Sequence, residues 1–408
     1  MRDSANTGSG VLSPGLVTLF ALTTGVAAAN LYYVQPLLDV IGGSFGVSDA
    51  TAGLLVALVQ LGYLSGLILL VPLGDLVERR GLISGLLGLA ALAAAACAAA
   101  PAFWFLAAAL VTLGVLSVVA QIIVPLSASL ASEAERGRVV GTVMSGLLVG
   151  ILSARVVSGL VAELVGWRGV FVLAALFLAA LGVLLRAALP RIPVPAAQVR
   201  YGGALRSVLG LVRAEAVLRQ RMAIALFVNV CFASMWTALT FLLSGSPYDY
   251  SEGLIGLFGL AGIAGALVAP FSGRLADRGR AGLAMTSFLA LLVLSWGLLA
   301  LGRDSVVPLL AGIVLLDLAC QGSHINNQWT IYARRPEARS RVTTAYLASM
   351  FVGMVLGSVL AALVYDAGGW YAVSAVGAGA ALMALGIWGL TRHLGETGTA
   401  SVPADLAG

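Results

Sequence analysis

The chain has little charge and no lysine. Only 10% of its 408 residues are charged, all 23 basic residues are Arg, and 60% of the residues are hydrophobic. Because a water-soluble domain needs a largely polar surface, this composition excludes an ordinary globular protein. Without lysine there is no glycine-rich phosphate loop ending in Lys, which excludes an ATP motor within the chain.

Histidine and cysteine are also scarce. Two histidines, His324 and His393, are too few for typical zinc catalysis, and no nucleophile lies at a spacing that suggests a catalytic triad. The three cysteines, Cys97, Cys231 and Cys320, lie in different apolar segments, which favours packing over a disulfide or a metal set. We therefore expect no enzyme activity, no cofactor and no metal.

Long apolar runs account for most of the chain. A membrane-spanning helix needs roughly 20 apolar residues, and the 50 glycines suit close helix packing in lipid. The runs lack the alternation of a membrane barrel, so we predict an all-α membrane protein with twelve transmembrane helices. The predicted spans are 14–39, 50–73, 82–100, 103–131, 139–164, 168–189, 222–244, 252–272, 282–301, 306–331, 342–365 and 370–391.

The arginines are distributed asymmetrically between the predicted loops. With a cytoplasmic N-terminus, only Arg168 and Arg303 lie outside and Arg155 lies within a span, so the other 20 of the 23 are cytoplasmic. This positive-inside pattern predicts a multi-pass protein of the bacterial inner membrane with both termini in the cytoplasm. It also explains the net charge of +5 without a nucleic-acid partner.

The sequence repeats at an offset of 203 residues. The corresponding segments are 135–139 with 338–342, Gly150 with Gly353, and Gly166-Trp167 with Gly369-Trp370. Two parallel repeats of six helices imply a pseudo-two-fold axis along the membrane normal, an arrangement typical of transporters that bind a solute between their halves.

The repeat also predicts the domain organisation. The segments are an N-terminal tail 1–13, a six-helix half 14–189, a cytoplasmic linker 190–221, a second six-helix half 222–391 and a C-terminal tail 392–408. The linker carries arginines among Leu and Val. It is either an amphipathic segment on the inner leaflet or a solvated flexible connection.

Two loops at matched positions in the halves combine Asp with Arg. Residues 72–80 read Pro-Leu-Gly-Asp-Leu-Val-Glu-Arg-Arg, and residues 273–280 read Gly-Arg-Leu-Ala-Asp-Arg-Gly-Arg. Both resemble motif A of the major facilitator superfamily, the first with Glu78 in place of a Gly and the second one residue short. The resemblance covers about residues 14–392 and implies the fold of that superfamily. The matching positions are Gly74, Asp75, Arg79, Arg80, Gly273, Asp277, Arg278 and Arg280.

These loops suggest a conformational latch. The positive end of a helix dipole favours a nearby carboxylate by roughly 0.3–1 kcal/mol. We expect Asp75 to approach the start of the eleventh span near Val342, and Asp277 to approach the fifth span near Val139. The alternative is that the loops only anchor the inner face.

The fifth span resembles the signature of drug/proton antiporters in altered form. Its positions are Gly146, Gly150, Ala154, Arg155, Ser158 and Gly159, followed by Gly166-Trp167-Arg168. Arg155 stands where the family pattern has Pro, and residues 111–114 of the fourth span lack the Arg common in these antiporters. The resemblance to this twelve-helix group implies export of small molecules.

Two charged residues lie near the middle of predicted spans. A basic side chain at the bilayer centre costs roughly 2.5–3.5 kcal/mol, so Arg155 either binds an anionic group or tunes a carboxylate, or else clamps neighbouring backbone. Asp317 on the tenth span is its expected partner by depth. As an intramembrane acid, Asp317 is a candidate for proton coupling or substrate binding.

Asp317 shares one helix face with Gln321, His324 and Gln328. The resemblance turns this face inward, because the first, fourth, seventh and tenth spans line the cavity in this superfamily. His324 could relay a proton, since imidazole titrates near neutral pH, or it could be a satisfied polar residue. The alternative for the whole face is a structural hydrogen-bonded network.

Polar and aromatic residues at accessible depths complete the predicted cavity. They are Asn30, Tyr33, Gln35, Gln60, Gln121, Asn229, Trp236, Asn327 and Gln328. Such a lining suits a roomy pocket for aromatic or amphipathic ligands.

These patterns together predict a secondary active transporter. We expect a monomer in the lipid bilayer that exports small organic or drug-like molecules in exchange for protons by alternating access. The alternatives are a metabolite or sugar carrier of the same fold and a non-transporting membrane sensor.

Overall fold

The computed structural model describes residues 12–190, 201–262, 280–334 and 338–393, and within these ranges the chain contains helices and no strand. Short 3₁₀ segments lie at Gln35–Leu37, Val71–Asp75 and Phe258–Ala261. The α-helices are α1 Pro14–Ala29, α2 Leu38–Phe45, α3 Asp49–Leu69, α4 Arg79–Ala98, α5 Phe103–Leu116, α6 Val119–Leu130, α7 Arg136–Val165, α8 Trp167–Ala188, α9 Tyr201–Ala214, α10 Ala216–Ser244, α11 Glu252–Leu257, α12 Ala281–Leu301, α13 Val306–Arg334 and α14 Arg339–Thr391.

The lengths of the helices agree with a membrane protein. Among the described residues, nine helices are long and apolar enough to cross a membrane, and the apolar helices Pro14–Ala29 and Glu252–Ala261 are shorter. The prediction of an all-α membrane protein is confirmed. The count of twelve spans stays a prediction, and so do the boundaries of the two halves, the linker and the tails.

The repeat has a matching backbone feature in each half. Gly166 has φ 79° where α7 meets α8, and Gly369 has φ 62° and interrupts the 53-residue α14. Positive φ is readily adopted only by Gly. The tryptophan that follows each glycine is buried. The paired Gly-Trp motif therefore marks the same sharp turn twice, at the predicted boundaries between spans.

The first and fourth predicted spans are interrupted rather than continuous. The first is helical to Ala29, passes through turns and a 3₁₀ segment, and continues as α2, while the fourth changes from α5 to α6 near Ser117. The two interruptions meet, because Nδ2 of Asn30 donates a hydrogen bond of 3.0 Å to Oγ of Ser117. This side-chain pair joins the two interrupted spans.

Glycines allow the closest helix crossings. A Cβ atom at Gly150 of α7 would overlap the backbone of Gly25 in α1, and a Cβ atom at Gly353 of α14 would overlap the backbone of Leu226 in α10. Small residues permit such backbone approach in membrane bundles. The glycines that correspond in the sequence repeat thus bring corresponding helices together in the two halves.

Each half has its own apolar core. That of the N-terminal half includes Leu87 and Phe171, and that of the C-terminal half includes Leu292 and Trp296. The molecule therefore consists of two packed units that meet at an interface.

We call the side where α3, α6 and α13 end the arginine-rich side, and the other the opposite side. Towards the opposite side the halves pack tightly: Gly53 of α3 lies against Ala362 of α14. Oγ of Ser358 donates to Oε1 of Gln60 over 3.2 Å. Oγ1 of Thr240 donates to the backbone carbonyl of Gln35, in the 3₁₀ segment after α1, over 2.7 Å. These contacts join the halves on that side.

Helices occupy the described part of the predicted linker. Helix α9 packs Val208, Leu211 and Val212 against the ends of α13 and α14. Helix α10 begins at Ala216, before the predicted end of the linker at 221. Arg221, expected to be a loop arginine, is only 2% exposed. It is buried because the first turns of α10 lie between α13 and α14.

Candidate functional site

The candidate site lies where the two halves face each other. The N-terminal half contributes Arg155 from α7 and Gln35 from the 3₁₀ segment after α1. The C-terminal half contributes Trp236 from α10 and Asp317 from α13. All four side chains are buried, so the sequence-predicted residues Arg155, Gln35, Trp236 and Asp317 do converge.

Arg155 is held by a hydrogen bond and by aromatic rings. Its side chain is 3% exposed, and its Nε donates to Oε1 of Gln35 over 2.6 Å. The guanidinium carbon lies 3.9 Å from the ring centroid of Trp236 and 4.8 Å from that of Tyr32. Stacking over a ring offsets part of the cost of burying this cation, because the ring face is electron-rich.

Asp317 is buried with few hydrogen-bond donors. It is 3% exposed, and Nε1 of Trp236 donates to its Oδ1 over 3.4 Å. Within the described residues, Oδ2 has no hydrogen-bond partner. Among the ion pairs within 4.0 Å that the described residues form, none joins Asp317 to Arg155. The indole of Trp236 therefore contacts both groups that the sequence suggested as direct partners, stacking on the guanidinium and donating to the carboxyl group.

Glycines of the eighth predicted span allow this close arrangement. A Cβ atom at Gly259 would lie 2.9 Å from Cβ of Arg155, and one at Gly262 would lie 3.4 Å from Oδ2 of Asp317. Larger side chains at Gly259 would displace the helix that carries Arg155.

His324 lies in a separate polar cluster. Its Nδ1 is 3.1 Å from the hydroxyl of Tyr346, and the two rings stack. Seven residues along an α-helix correspond to about 10 Å, so His324 is well removed from Asp317. Gln321 and Gln328, on the same helix face, are half-buried. Among the described residues, none of these three side chains forms a hydrogen bond with the carboxyl group.

The same cluster contains the buried Arg221. Its Nη1 donates to Oδ1 of Asn326 and Oδ1 of Asn327, each over 3.3 Å, and its guanidinium lies 4.8 Å from the ring of Trp388. Asn327, predicted to line the cavity, therefore binds Arg221 and Tyr346 instead of facing Asp317.

The other predicted lining residues make their contacts with residues outside the central four. Nε2 of Gln121 donates to the hydroxyl of Tyr63 over 3.1 Å, and Nδ2 of Asn229 donates to its own helix at Ala225 over 2.8 Å. Tyr33 lines an apolar groove between α1, α7 and α8. Asn30 and Gln60 make the Ser117 and Ser358 contacts already described.

The first motif A loop is partly described. Nε of Arg79 donates to the carbonyl of Gly74 over 2.8 Å, which closes the loop on itself. Glu78 accepts from the backbone N–H groups of Arg80 and Gly81, so the residue that replaces the motif glycine caps helix α4.

The latch itself remains a prediction. The contacts of the Asp75 side chain, and the residues Gly273, Asp277 and Arg278, lie outside what the structure describes. Arg280 is exposed and precedes α12.

Two further aromatic residues lie at the site, and Phe232 was not among the residues predicted from the sequence. Tyr32 and Phe232 both lie within 6 Å of the Arg155 guanidinium, at 4.8 and 5.9 Å from their ring centroids. Phe232 precedes Trp236 by four residues, so helix periodicity could have placed both on one face. Tyr32 lies in a turn between helices, where periodicity gives no signal.

Comparison with known proteins decides the family. The model of the Major Facilitator Superfamily matches residues 20–346 of the chain. The chain belongs to the major facilitator superfamily. The fold predicted from the repeat and the motif A resemblance is confirmed, and this superfamily member is a multi-pass membrane transporter rather than an enzyme.

Full-length relatives support the same assignment. The chain is similar to the uncharacterized transporter YgaY of Escherichia coli O157:H7, at 45% identity over 94% of this chain and 98% of that protein. It is also similar to the probable transporter SCO4007 of Streptomyces coelicolor, at 37% identity over 97% of this chain and 89% of the relative.

A solved structure shares the fold. A bacterial homologue of the human lysosomal transporter Spinster, in an inward-facing and unoccupied conformation, matches with a TM-score of 0.76 and 14% identity. The match covers 94% of this superfamily member and 97% of the homologue.

Proposed function

We propose that this superfamily member exports small organic molecules in exchange for protons by alternating access. In this proposal the protein acts as a monomer in the bacterial inner membrane with both termini in the cytoplasm. Asp317 carries the proposal, as a buried carboxyl group with one indole donor on Oδ1 and no partner on Oδ2 among the described residues.

The energetics favour proton exchange at this residue. An ionised carboxylate in an apolar site needs several hydrogen bonds or a paired cation, whereas the neutral acid does not. Asp317 has a single neutral donor, and the cation of Arg155 stacks on the indole of Trp236 and forms no ion pair within 4.0 Å of Asp317 among the described residues. The free energy of ionisation therefore depends on how close Arg155 and the solvent are to Asp317.

The position of the site supports coupling to a conformational change. Arg155 belongs to one half, while Trp236 and Asp317 belong to the other. A rocking motion that breaks the contact between Gly53 and Ala362 on the opposite side would also alter the stacking of Arg155 on Trp236. The acid would then meet a different environment in each state, as proton-coupled alternating access requires.

Proton flux into proteoliposomes tests the proposal. A pH dye inside vesicles would report flux driven by a panel of cationic, neutral, zwitterionic and anionic solutes. We expect solute-driven flux with the wild type and its loss in Asp317→Asn. Asp39→Asn is the matched control, because it makes the same chemical change at an exposed position and should leave flux unchanged.

The alternative outcome is equally specific. Solute transport that is unchanged in Asp317→Asn, with no associated proton flux in the wild type, would refute proton coupling at this residue. The protein would then be a facilitator of the same fold.

A further inference from the structure

We infer that the central site selects zwitterionic small molecules. Arg155 and Gln35 would bind the carboxylate of the ligand, and Asp317 would bind its ammonium group. The inference rests on the proposed function, because it names the substrate class of the same site.

Three buried polar atoms at the site are unused. They are Nη2 of Arg155, Nε2 of Gln35 and Oδ2 of Asp317, none of which has a hydrogen-bond partner among the described residues. The three residues are 3%, 1% and 3% exposed. Buried polar atoms are normally paired, and each unpaired one is costly. A ligand that binds between the two halves of a transporter can therefore form hydrogen bonds with these three atoms.

The two unused donors come from joined side chains. Nε of Arg155 donates to Oε1 of Gln35 over 2.6 Å, which holds the amide of Gln35 beside the guanidinium. The remaining donors are then one charged and one neutral N–H group from the same half. A carboxylate, which accepts several hydrogen bonds at once, suits this pair of donors.

The unused acceptor belongs to the other half. Oδ2 of Asp317 carries negative charge when the acid is ionised, and the backbone beside it is that of Gly262, where a Cβ atom would lie 3.4 Å from Oδ2 and 2.7 Å from Cδ2 of Leu152. An ammonium group donates hydrogen bonds and supplies the missing charge. In this arrangement the ligand ammonium and a proton compete for Asp317, as exchange requires.

The separation of the two charges decides between ligand classes. A direct ion pair would cancel both charges and leave an uncharged site, but the ring of Trp236 lies 3.9 Å from the guanidinium and also donates to Asp317. A cationic ligand would leave the guanidinium of Arg155 without a counter-charge, and an anionic ligand would leave the ionised form of Asp317 without a partner. A zwitterion satisfies both, and the rings of Tyr32 and Phe232 can contact its apolar body.

Binding of matched probes tests the inference. The probes are delta-aminovaleric acid, para-(aminomethyl)benzoic acid and the dipeptide phenylalanylglycine. Each is compared with its carboxamide, which is a cation, and with its N-acetyl form, which is an anion. Calorimetry on the purified full chain in detergent, at one pH and without a gradient, gives the affinities. For at least one scaffold we expect the zwitterion to bind at least about tenfold more tightly than both derivatives, since each loses one charged hydrogen bond.

Two variants assign the charges. In Asp317→Asn the preference for the zwitterion over its N-acetyl form should disappear, while the preference over the carboxamide remains. Arg155→Gln should show the reverse, and Asp39→Asn should keep both preferences. If Asp317 or Arg155 had only a structural role, its replacement would weaken the binding of all three forms of a probe equally. If a variant does not give a single peak in size-exclusion chromatography, the wild-type comparison alone decides.

The opposing results are clear. Equal or tighter binding of a singly charged form, or no saturable binding of any zwitterion, would overturn the inference. Proton flux separates this failure from that of the proposed function. Flux that depends on Asp317 and is driven by singly charged solutes would retain proton exchange and reject zwitterion selection. Saturable binding of a zwitterion without proton flux would retain zwitterion selection and reject proton exchange.

Discussion

Replacing Gly150 with Ala should destabilise the protein, although alanine is the better helix former. Gly150 lies where α7 crosses α1, and a Cβ atom there would overlap three backbone atoms of Gly25. Gly141 lies on the same helix, and a Cβ atom at Gly141 would meet no neighbouring atom of the described residues within 4 Å. The two substitutions make an identical chemical change in opposite packing environments.

The expected magnitudes have opposite signs. At Gly141, the gain in helix propensity is about 0.5–1 kcal/mol. At Gly150 the same gain is outweighed, because overpacking costs about 1–3 kcal/mol. The overlapping atoms belong to the backbone of Gly25, so no change of side-chain rotamer can relieve the overlap. We expect a net loss of about 1 kcal/mol. The two variants should thus differ by about 2 kcal/mol, or roughly 4–8 °C in Tm at about 2–4 °C per kcal/mol for a unit of 150–250 residues.

Thermal unfolding in detergent, followed by tryptophan fluorescence, measures the difference. The second half offers an independent copy: Gly353→Ala would overlap the backbone of Leu226, while Gly379 on the same helix has open space. The same order of Tm values is expected for that pair. A Gly150→Ala variant as stable as Gly141→Ala would refute the close crossing of α1 and α7.

Two further pairs of substitutions test a buried side chain and a helix cap at the arginine-rich side. Arg221→Ala should lower stability by about 1.5–3 kcal/mol, because it removes a buried guanidinium that donates to Asn326 and stacks on Trp388. Arg219→Ala, two residues earlier and exposed, should cost much less in the same thermal assay, and equal losses would contradict the burial of Arg221. Glu78→Ala should cost about 0.5–2 kcal/mol through loss of the helix cap, whereas Glu78→Gln, whose amide oxygen can still accept, should recover part of that Tm loss.

The sequence by itself determined the fold class and the family. A chain with few charges must hydrogen-bond its backbone internally in lipid, so long apolar runs become helices. The paired Gly-Trp motif predicted the repeat, and the positive φ at Gly166 and Gly369 shows why glycine stands at both turns. Apolar runs and turn glycines are local features and the repeat is a relation between positions along the chain, so all three can be read from the sequence.

The arrangement of the candidate site was decided by tertiary structure. The position of a residue along a span predicts its depth, which is why Arg155 and Asp317 could be matched by level. Depth does not determine how each helix is rotated or which side chain fills the space between two helices. Packing placed the indole of Trp236 in contact with both charged residues and buried Arg221. Both outcomes depend on contacts between helices far apart in the chain, which no local pattern encodes.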